Sequence, residues 1–480
     1  MKIRQIIQDR LFNKDFAIYD TNNNKVDCEQ FRSNYLKTRA YLLNQIGRDG
    51  SVAIKLKKDH EYLMIMLACM DSGVPYVPVK ENYPEDRIEQ IKEESEFSEL
   101  IDNEKLKEIL SKDWGDYSEV ELAPMDTLYT ICTSGSTGRP KAVVVSRTSI
   151  TDFWNWLDSY FPKIAEGDQI LQVADFTFDI SLIDVGLFLF KGASLHFSNF
   201  TGNIFTLAYE IEIKRISFLN TVVNNFNMLL EDSIFDRGDF GSLKSVVMGG
   251  GRFTYGLYEK CKKHLKTIDV NNFYGVTEVP VYSHAKRMSF NETDLHDHTV
   301  SVGSTLGSTT CVVVKDNRRV STGEKGELYL GGGQLMKGYA NNPEKTAEVL
   351  VEFEGKTYYR TGDIGFEDES GQFFVTGRMD DTIKYRGFRI NLTDIDSYVH
   401  SLEYIQDCVT VAVENELTQN TTVAYVISKE DIEVEEFRKD LAKILLEYQI
   451  PEKIFFVDNY PTNNNGKVCK KTLRSQYLSK

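Results

Sequence analysis

Short runs of β-branched and aromatic residues alternate with longer helical stretches through the first three-quarters of the chain, and this alternation constrains the fold more than any other feature. SVAIKL is followed by HEYLMIMLACMDSG and then VPYVPV; further on come KAVVVS, QILQVAD, ASLHFS, RISFLN and KSVVMGG. Apolar runs of strand length, separated by amphipathic segments, predict an α/β architecture with mixed, largely parallel sheets. From about residue 300 to 376 the texture changes. CVVVKDNRRV, GELYLGG and QFFVTG are closely spaced and punctuated by turns, which predicts a β-rich subdomain. After TGRMDD, CVTVAV and TVAYVIS read as strands, and EEFRKDLAKILLEYQ as a helix with Phe437, Leu441, Ile444 and Leu445 on one face. The expected organisation is a large N-terminal core, residues 1–379, and a small α+β C-terminal domain, residues 380–480, which is a usual size for a folding unit.

The bulk numbers agree with at least two domains, since 480 residues exceed what one compact core holds. A formal charge of −16 argues against non-specific nucleic-acid binding, which needs a dense basic surface. The seven cysteines form no CxxC or Cys/His cluster, so they are expected to be reduced, mostly buried thiols of a cytosolic protein. MKIRQIIQDRLFNKD has no apolar segment of the signal-peptide kind, and the longest apolar run, YLMIMLACM, is far short of the ~20 residues of a membrane span. A cytoplasmic protein without membrane insertion is the expectation.

Chemistry concentrates in a few strings. TSGSTGRPK, residues 133–141, gathers two glycines, four hydroxyls and two cations in one loop. Glycines let backbone N–H groups approach an anion, and a lysine adds charge. The Walker pattern is absent, and the loop joins two strand-like runs instead of opening a helix. Downstream come NFYGVTE (272–278), GELYLGG (326–332), YRTGD (359–363), GRMDDTIKYRGFRIN (377–391) and NGKV (465–468).

Together and in this order these strings resemble the core motifs of the adenylate-forming enzymes, over essentially the whole chain. The flanks LACMDSGVPYVPV and FTFDIS are similar to the amino-acid-activating branch, the stand-alone adenylation domains and D-alanine–carrier protein ligases in particular. The resemblance implies that Thr133, Ser134, Gly135, Ser136, Thr137 and Gly138 clasp the phosphates of ATP while Lys141 neutralises departing pyrophosphate. Ala142 stands where the family usually has glycine. By the same resemblance Asn272, Phe273, Tyr274 and Gly275 adjoin the adenine, Thr277 reaches the α-phosphate, and Asp363 binds the ribose hydroxyls beside Arg378. Glu278 would hold Mg²⁺, a hard carboxylate for a hard cation. Lys467 would enter the active site and bridge acyl and phosphate oxygens. Asp380 would be a hinge, with Lys384 and Gly387 facing the thiol acceptor after the small domain swings.

For the substrate, the resemblance gives Asp179 in FDIS the role of binding an α-ammonium, and a charge pair at ~4 Å gains about 4 kcal/mol at an effective ε of 20. The competing reading is a helix-capping aspartate before SLIDVG. The remaining wall would comprise Ile180, Ile183, Asn220 and Val247, then Gly249, Phe273, Val281 and Tyr282. It is mostly apolar, and Phe273 stands where many relatives have a small residue. A small or medium neutral amino acid is therefore expected, with a D-alanine-like, alanine or glycine substrate leading and proline or a branched small residue as alternatives. Its acceptor would be the phosphopantetheine thiol of a separate carrier protein, because the chain stops soon after NGKV. Residues 461–480 hold five basic residues and no acidic one, which suits either an acidic carrier or a solvated tail. A carboxylic acid–CoA ligase would use the same first half-reaction. A non-catalytic adenylate-binding protein would require broken catalytic positions, and Lys141, Glu278, Asp363 and Lys467 are all present.

Overall fold

The computed structural model describes residues 3–134, 140–296, 299–385, 388–415, 419–445, 447–463 and 467–478. It is a mixed α/β protein with a large N-terminal domain of mostly parallel sheets and a smaller C-terminal domain.

The parallel pairing begins in the first quarter. Val52–Leu56 and Tyr76–Lys80 pair in parallel, joined by the helix His60–Ser72. Asp59 caps that helix by accepting from the His60 N–H, and Gly73 ends it at φ +81°. A crossover helix covering a parallel pair must be buried along most of its length, and YLMIMLACM is buried throughout. The second strand pairs in parallel with Thr127–Ser134, which then turns back into Pro140–Ser146 as an antiparallel hairpin. Gly338–Tyr339 closes that edge.

A second, eight-stranded sheet runs from Ile18–Tyr19 through Ser194–Phe197, Gln169–Gln172, Phe218–Val222 and Ser245–Gly249 to Asp269–Val276, all parallel, and ends in two antiparallel strands. Its parallel strands end near one another at the FDIS loop, the GGG loop and NFYGVTE. Open parallel sheets place ligands at such strand ends. The helices Arg147–Tyr160 and Ser181–Lys191 pack together through Trp154, whose Nε1 donates to the Leu182 carbonyl at 2.9 Å.

The β-rich subdomain is an entirely antiparallel sheet built on Gly326–Gly331 and Lys356–Glu367. It also carries a helix, Pro343–Val349, capped by Asn342. The C-terminal three-stranded sheet packs Phe437, Leu441 and Ile395 on one face and Val411, Val423 and Leu473 on the other. Burying such side chains contributes ~1.5–3 kcal/mol each, enough to give this domain a core of its own. All seven cysteines are free: Cys69, Cys261 and Cys408 are buried and the other four partly so, in keeping with the expectation of mostly buried thiols. Among the described residues no helix is long and apolar enough to cross a membrane.

Candidate active site

The hairpin that carries TSGSTGRPK sets Thr133 opposite Lys141. Gly135, Ser136, Thr137 and Gly138 lie outside the described residues, as does the side chain of Ser134. Lys141 places its Nζ 5.6 Å from the centre of the Tyr339 ring. Tyr339 in turn donates its hydroxyl to Glu278 Oε1 at 2.6 Å. Burial and the neighbouring Glu278 carboxylate push both the Tyr339 and Tyr359 phenols above their ordinary range, so both are proton donors at neutral pH. Thr277 and Glu278 form the turn between Asp269–Val276 and Val279–Arg287. Among the described residues no group of three or more His, Cys, Asp or Glu gathers around any point. A single carboxylate in a polar cleft suits Mg²⁺, which binds through one or two carboxylates plus substrate phosphates.

Asp363 has each oxygen engaged. Tyr274 donates its hydroxyl to Oδ2 at 2.5 Å, and Arg378 Nη1 donates to Oδ1 at 2.9 Å. The strand register puts Asp363 opposite Arg378, and the Thr361 hydroxyl accepts the Asp363 N–H at 2.9 Å. Burial raises the Asp363 pKa, opposed by Arg378 and Tyr274. Asn272 is buried and donates its amide to the Ser301 carbonyl at 2.9 Å. Gly275 is a matter of space: a Cβ there would fall 2.6 Å from Tyr282 Cα.

Asp179 does not cap a helix. The helix Ser181–Lys191 has Ile180 at its N-cap and no side-chain cap. The Asp179 Oδ2 instead accepts the Val281 N–H at 2.9 Å, from a residue 102 positions away. Val281 sits at φ +69°, a costly conformation for a β-branched residue, of order 1–3 kcal/mol, and one found mostly where function requires it. Burial pushes the Asp179 pKa up to about 6, while the Val281 N–H and Lys467 pull it down and Glu278 pushes it further up. A cation arriving beside this carboxylate would restore its charge.

Ile183, Val247, Asn220, Phe273, Val281 and Tyr282 are all buried around this point, and Ile180 is partly so. Adjacent strands set Val247 beside Asn220. Tyr282 meets Phe273 edge-on, with centroids 5.1 Å apart at 79°. A Cβ on Gly249 would lie 2.3 Å from the Tyr282 ring, so only glycine admits this tyrosine.

Lys467 arrives from the C-terminal domain. A Cβ on Gly250 would come within 3.3 Å of its Cε and 3.6 Å of its Nζ, so the ammonium lies over the glycine loop, with Asp179 and Asp363 as its acidic neighbours. The residue as a whole is exposed, yet its ammonium end sits in the cleft between domains. There desolvation lowers its pKa, Asp179 and Asp363 raise it, and Arg378 lowers it. Asp380 lies in the 3₁₀ turn Met379–Asp381; its side chain, that of Lys384, and all of Gly387 lie outside what is described.

Residues 8–340 match the family model for the AMP-binding enzymes, and residues 394–467 match the model for the C-terminal domain of those enzymes. The chain belongs to the AMP-binding enzyme family. It is an AMP-forming ligase of the adenylating type. It is 28% identical over 493 residues to a D-alanine–D-alanyl carrier protein ligase of Listeria monocytogenes, covering 96% of each chain. It is also 29% identical over 443 residues to gramicidin S synthase 2 of Brevibacillus brevis, but there 88% of the chain spans only 10% of the relative. Among solved structures, NpsA of Klebsiella oxytoca in complex with 3-hydroxyanthranilyl-AMSN superposes with a TM-score of 0.86 at 24% identity, covering 99% of both chains.

Three residues of this AMP-binding enzyme escaped the motif reading. Tyr339 and Tyr359 position Glu278; Tyr359 opens the YRTGD string and Tyr339 follows GGGQLMKG, but nothing local marks either as a partner of NFYGVTE. Arg252, within GGGRF, donates from Nη1 to the Thr393 carbonyl at 3.1 Å and from Nη2 to the Ser397 Oγ at 2.5 Å, tying the glycine loop to the C-terminal domain.

Proposed function

We propose that this AMP-forming ligase activates a small or medium neutral amino acid as its aminoacyl-adenylate and passes it to the phosphopantetheine thiol of a separate carrier protein. The observation that carries this reading is Asp179: a buried carboxylate, oriented by an N–H from a strained strand residue, in the same cleft as Lys467. An α-ammonium satisfies such a group, whereas a des-amino acid leaves its charge unpaired in a desolvated site. The names of the relatives that match end to end, D-alanine–D-alanyl carrier protein ligases, support the same substrate class and acceptor.

In the first step a substrate carboxylate oxygen attacks the α-phosphorus of ATP, the α–β anhydride breaks and pyrophosphate leaves. Lys467, whose ammonium lies over the glycine loop, would hold the carboxylate and phosphate oxygens together, and Lys141 would neutralise the leaving group. Asp363, fixed by Tyr274 and Arg378, accepts the ribose hydroxyls. Mg²⁺, held at Glu278, would shield the phosphate oxygens from one another. In the second step the thiol sulfur attacks the acyl carbonyl and AMP leaves. That step calls for a swing of residues 380–480 about Asp380, which brings Lys384 and Gly387 toward the acceptor.

Amino-acid-dependent ATP–pyrophosphate exchange, run with L- and D-amino acids and their des-amino counterparts, tests this reading. Exchange with a small amino acid and none with its des-amino partner is expected. Exchange with des-amino acids alone would replace it with a carboxylic acid–CoA ligase.

A further inference from the structure

The glycine loop leaves the strand Ser245–Gly249 and runs straight into the helix Tyr255–His264, which starts where the Thr254 hydroxyl accepts the Leu257 N–H. This one element lies under Lys467 at Gly250 and meets the C-terminal domain again further along. Arg252 reaches Thr393 and Ser397 just before the helix begins. On the helix itself Gly256 and Lys260 are four residues apart and share a face. A Cβ on Gly256 would stand 3.9 Å from the Gln406 carbonyl oxygen. Lys260 donates to Glu231 Oε1 at 2.6 Å and to Asn227 Oδ1 at 3.0 Å, and the same Glu231 oxygen accepts the Gln406 amide at 3.1 Å. Glu231 is thus held between a lysine of its own domain and a glutamine of the other, 175 positions away.

Gln406 is presented by an irregularity of its sheet. Where the strand Ile405–Asn415 pairs with Gln419–Ser428, Ile405 lies opposite Ser428 and Asp407 opposite Ile427, so Gln406 has no counterpart. An extra residue of this kind bends the strand and re-aims its side chain. The residue after it is anchored: Asp407 Oδ1 bonds to His400 Nε2 at 2.7 Å, and His400 Nδ1 bonds to the Asp396 carbonyl at 2.5 Å. His400 ends the helix Leu392–His400, which also supplies Thr393 and Ser397 to Arg252. Both points of contact therefore belong to one connected piece of the C-terminal domain.

We propose that Gln406, Glu231 and Lys260 form a latch that holds the C-terminal domain in the adenylate-forming arrangement and opens before thiol transfer. This rests on the proposed swing of residues 380–480, which carries Ser397 and Gln406 away together. All three are positioning residues: they set where Lys467 stands and take no part in the bond changes. When Gln406 departs, Glu231 keeps Lys260, so opening costs one hydrogen bond and strands no charge. A contact of that strength can be made and broken in every turnover.

A charge swap tests the latch, read by ATP–pyrophosphate exchange with whichever acid the unmodified enzyme exchanges fastest. Gln406→Glu sets a second carboxylate against Glu231 and should lower kcat roughly fivefold, with the KM for ATP and the melting temperature nearly unchanged. Adding Glu231→Gln restores an amide–carboxylate pair beside Lys260 and should recover most of the lost rate. Transfer from a supplied aminoacyl-adenylate to pantetheine should not slow in Gln406→Glu. An unaltered kcat, a loss that Glu231→Gln does not recover, or an equal slowing of transfer overturns the latch. Which acid is exchanged is a separate result: exchange with des-amino acids alone overturns the amino-acid reading, and the charge swap then decides the latch on those acids.

Discussion

The proposed nucleotide side and the proposed acid side of this cleft are built on opposite plans. On the nucleotide side each key polar group already has a protein partner: Asp363 holds Tyr274 and Arg378, and Glu278 holds Tyr339. On the acid side Asp179 accepts from backbone N–H groups, and among the described residues no side chain hydrogen-bonds to it. Preorganised groups bind the part of the reaction common to all adenylating enzymes, with little reorganisation left to the moment of reaction. Unpartnered groups select, because a wrong substrate leaves them unpaired.

The sharpest way to break this contrast is Asp179→Asn. The side chain keeps its size but cannot pair with an ammonium. The loss of about 4 kcal/mol corresponds to roughly a 10³-fold fall in kcat/KM for the amino acid, with the KM for ATP nearly unchanged. Equal losses for both substrates would mean that Asp179 supports the fold of the cleft instead of the ammonium. Next in size is Lys467→Ala, expected to slow adenylate formation about 10²-fold. Transfer from a supplied aminoacyl-adenylate to the carrier thiol should be nearly unaffected, since the proposed swing removes Lys467 from that step. A matching loss in transfer would count against the two-state scheme.

A pH titration separates the two sides without mutation. With a folded pKa of about 6, raised from the ordinary 3.8 by burial, Asp179 is ionised above pH 6 and neutral below it. Binding an α-ammonium needs the ionised form, so the KM for the amino acid should rise about tenfold per unit as pH falls below 6. The sign for stability is the reverse. Between about pH 4 and 6 the folded state binds more protons at this site than the unfolded chain, so the contribution of Asp179 to stability falls as pH rises through that window. Asp179→Asn should abolish the KM dependence. On the nucleotide side Tyr274→Phe removes one hydrogen bond to a charged group, worth about 1.5–3 kcal/mol, and should weaken ATP roughly tenfold or somewhat more while sparing the amino acid.

The same contrast explains what could be read from the sequence. The family was legible because its motifs are contiguous strings, NFYGVTE, YRTGD and NGKV, whose order carries the resemblance. The alternation of strands and helices gave the parallel sheets for the same local reason. What stayed hidden depends on distant pairing. Whether Asp179 capped a helix or faced the pocket was open until the strand carrying Val281 was in place. Asp184 lies in SLIDVGLFLF, which reads as an apolar helix, and nothing local marks its carboxyl as a hydrogen-bond partner of the distant Asn220. The helix Pro343–Val349 is different: Asn342 followed by Pro343 is a legible start signal, and it was passed over within a β-rich stretch.

The smallest expected effect concerns the join between the two halves. Arg252 leaves the glycine loop and reaches the Thr393 carbonyl and Ser397 on the first helix of the C-terminal domain, the same domain that lays Lys467 over Gly250. Under the proposed two-state scheme Arg252 would be a positioning residue whose bonds bias the domain toward the arrangement that forms the adenylate. Arg252→Ala should lower adenylation several-fold, since hydrogen bonds from a partly exposed guanidinium are worth less than buried ones. A purely structural role would lower the melting temperature and slow both half-reactions alike. A positioning role predicts an unchanged melting temperature, slower pyrophosphate exchange, and thiol transfer that holds steady or quickens. Transfer is the informative arm: the two half-reactions need different placements of one domain, so weakening a contact specific to the first must shift the population toward the second.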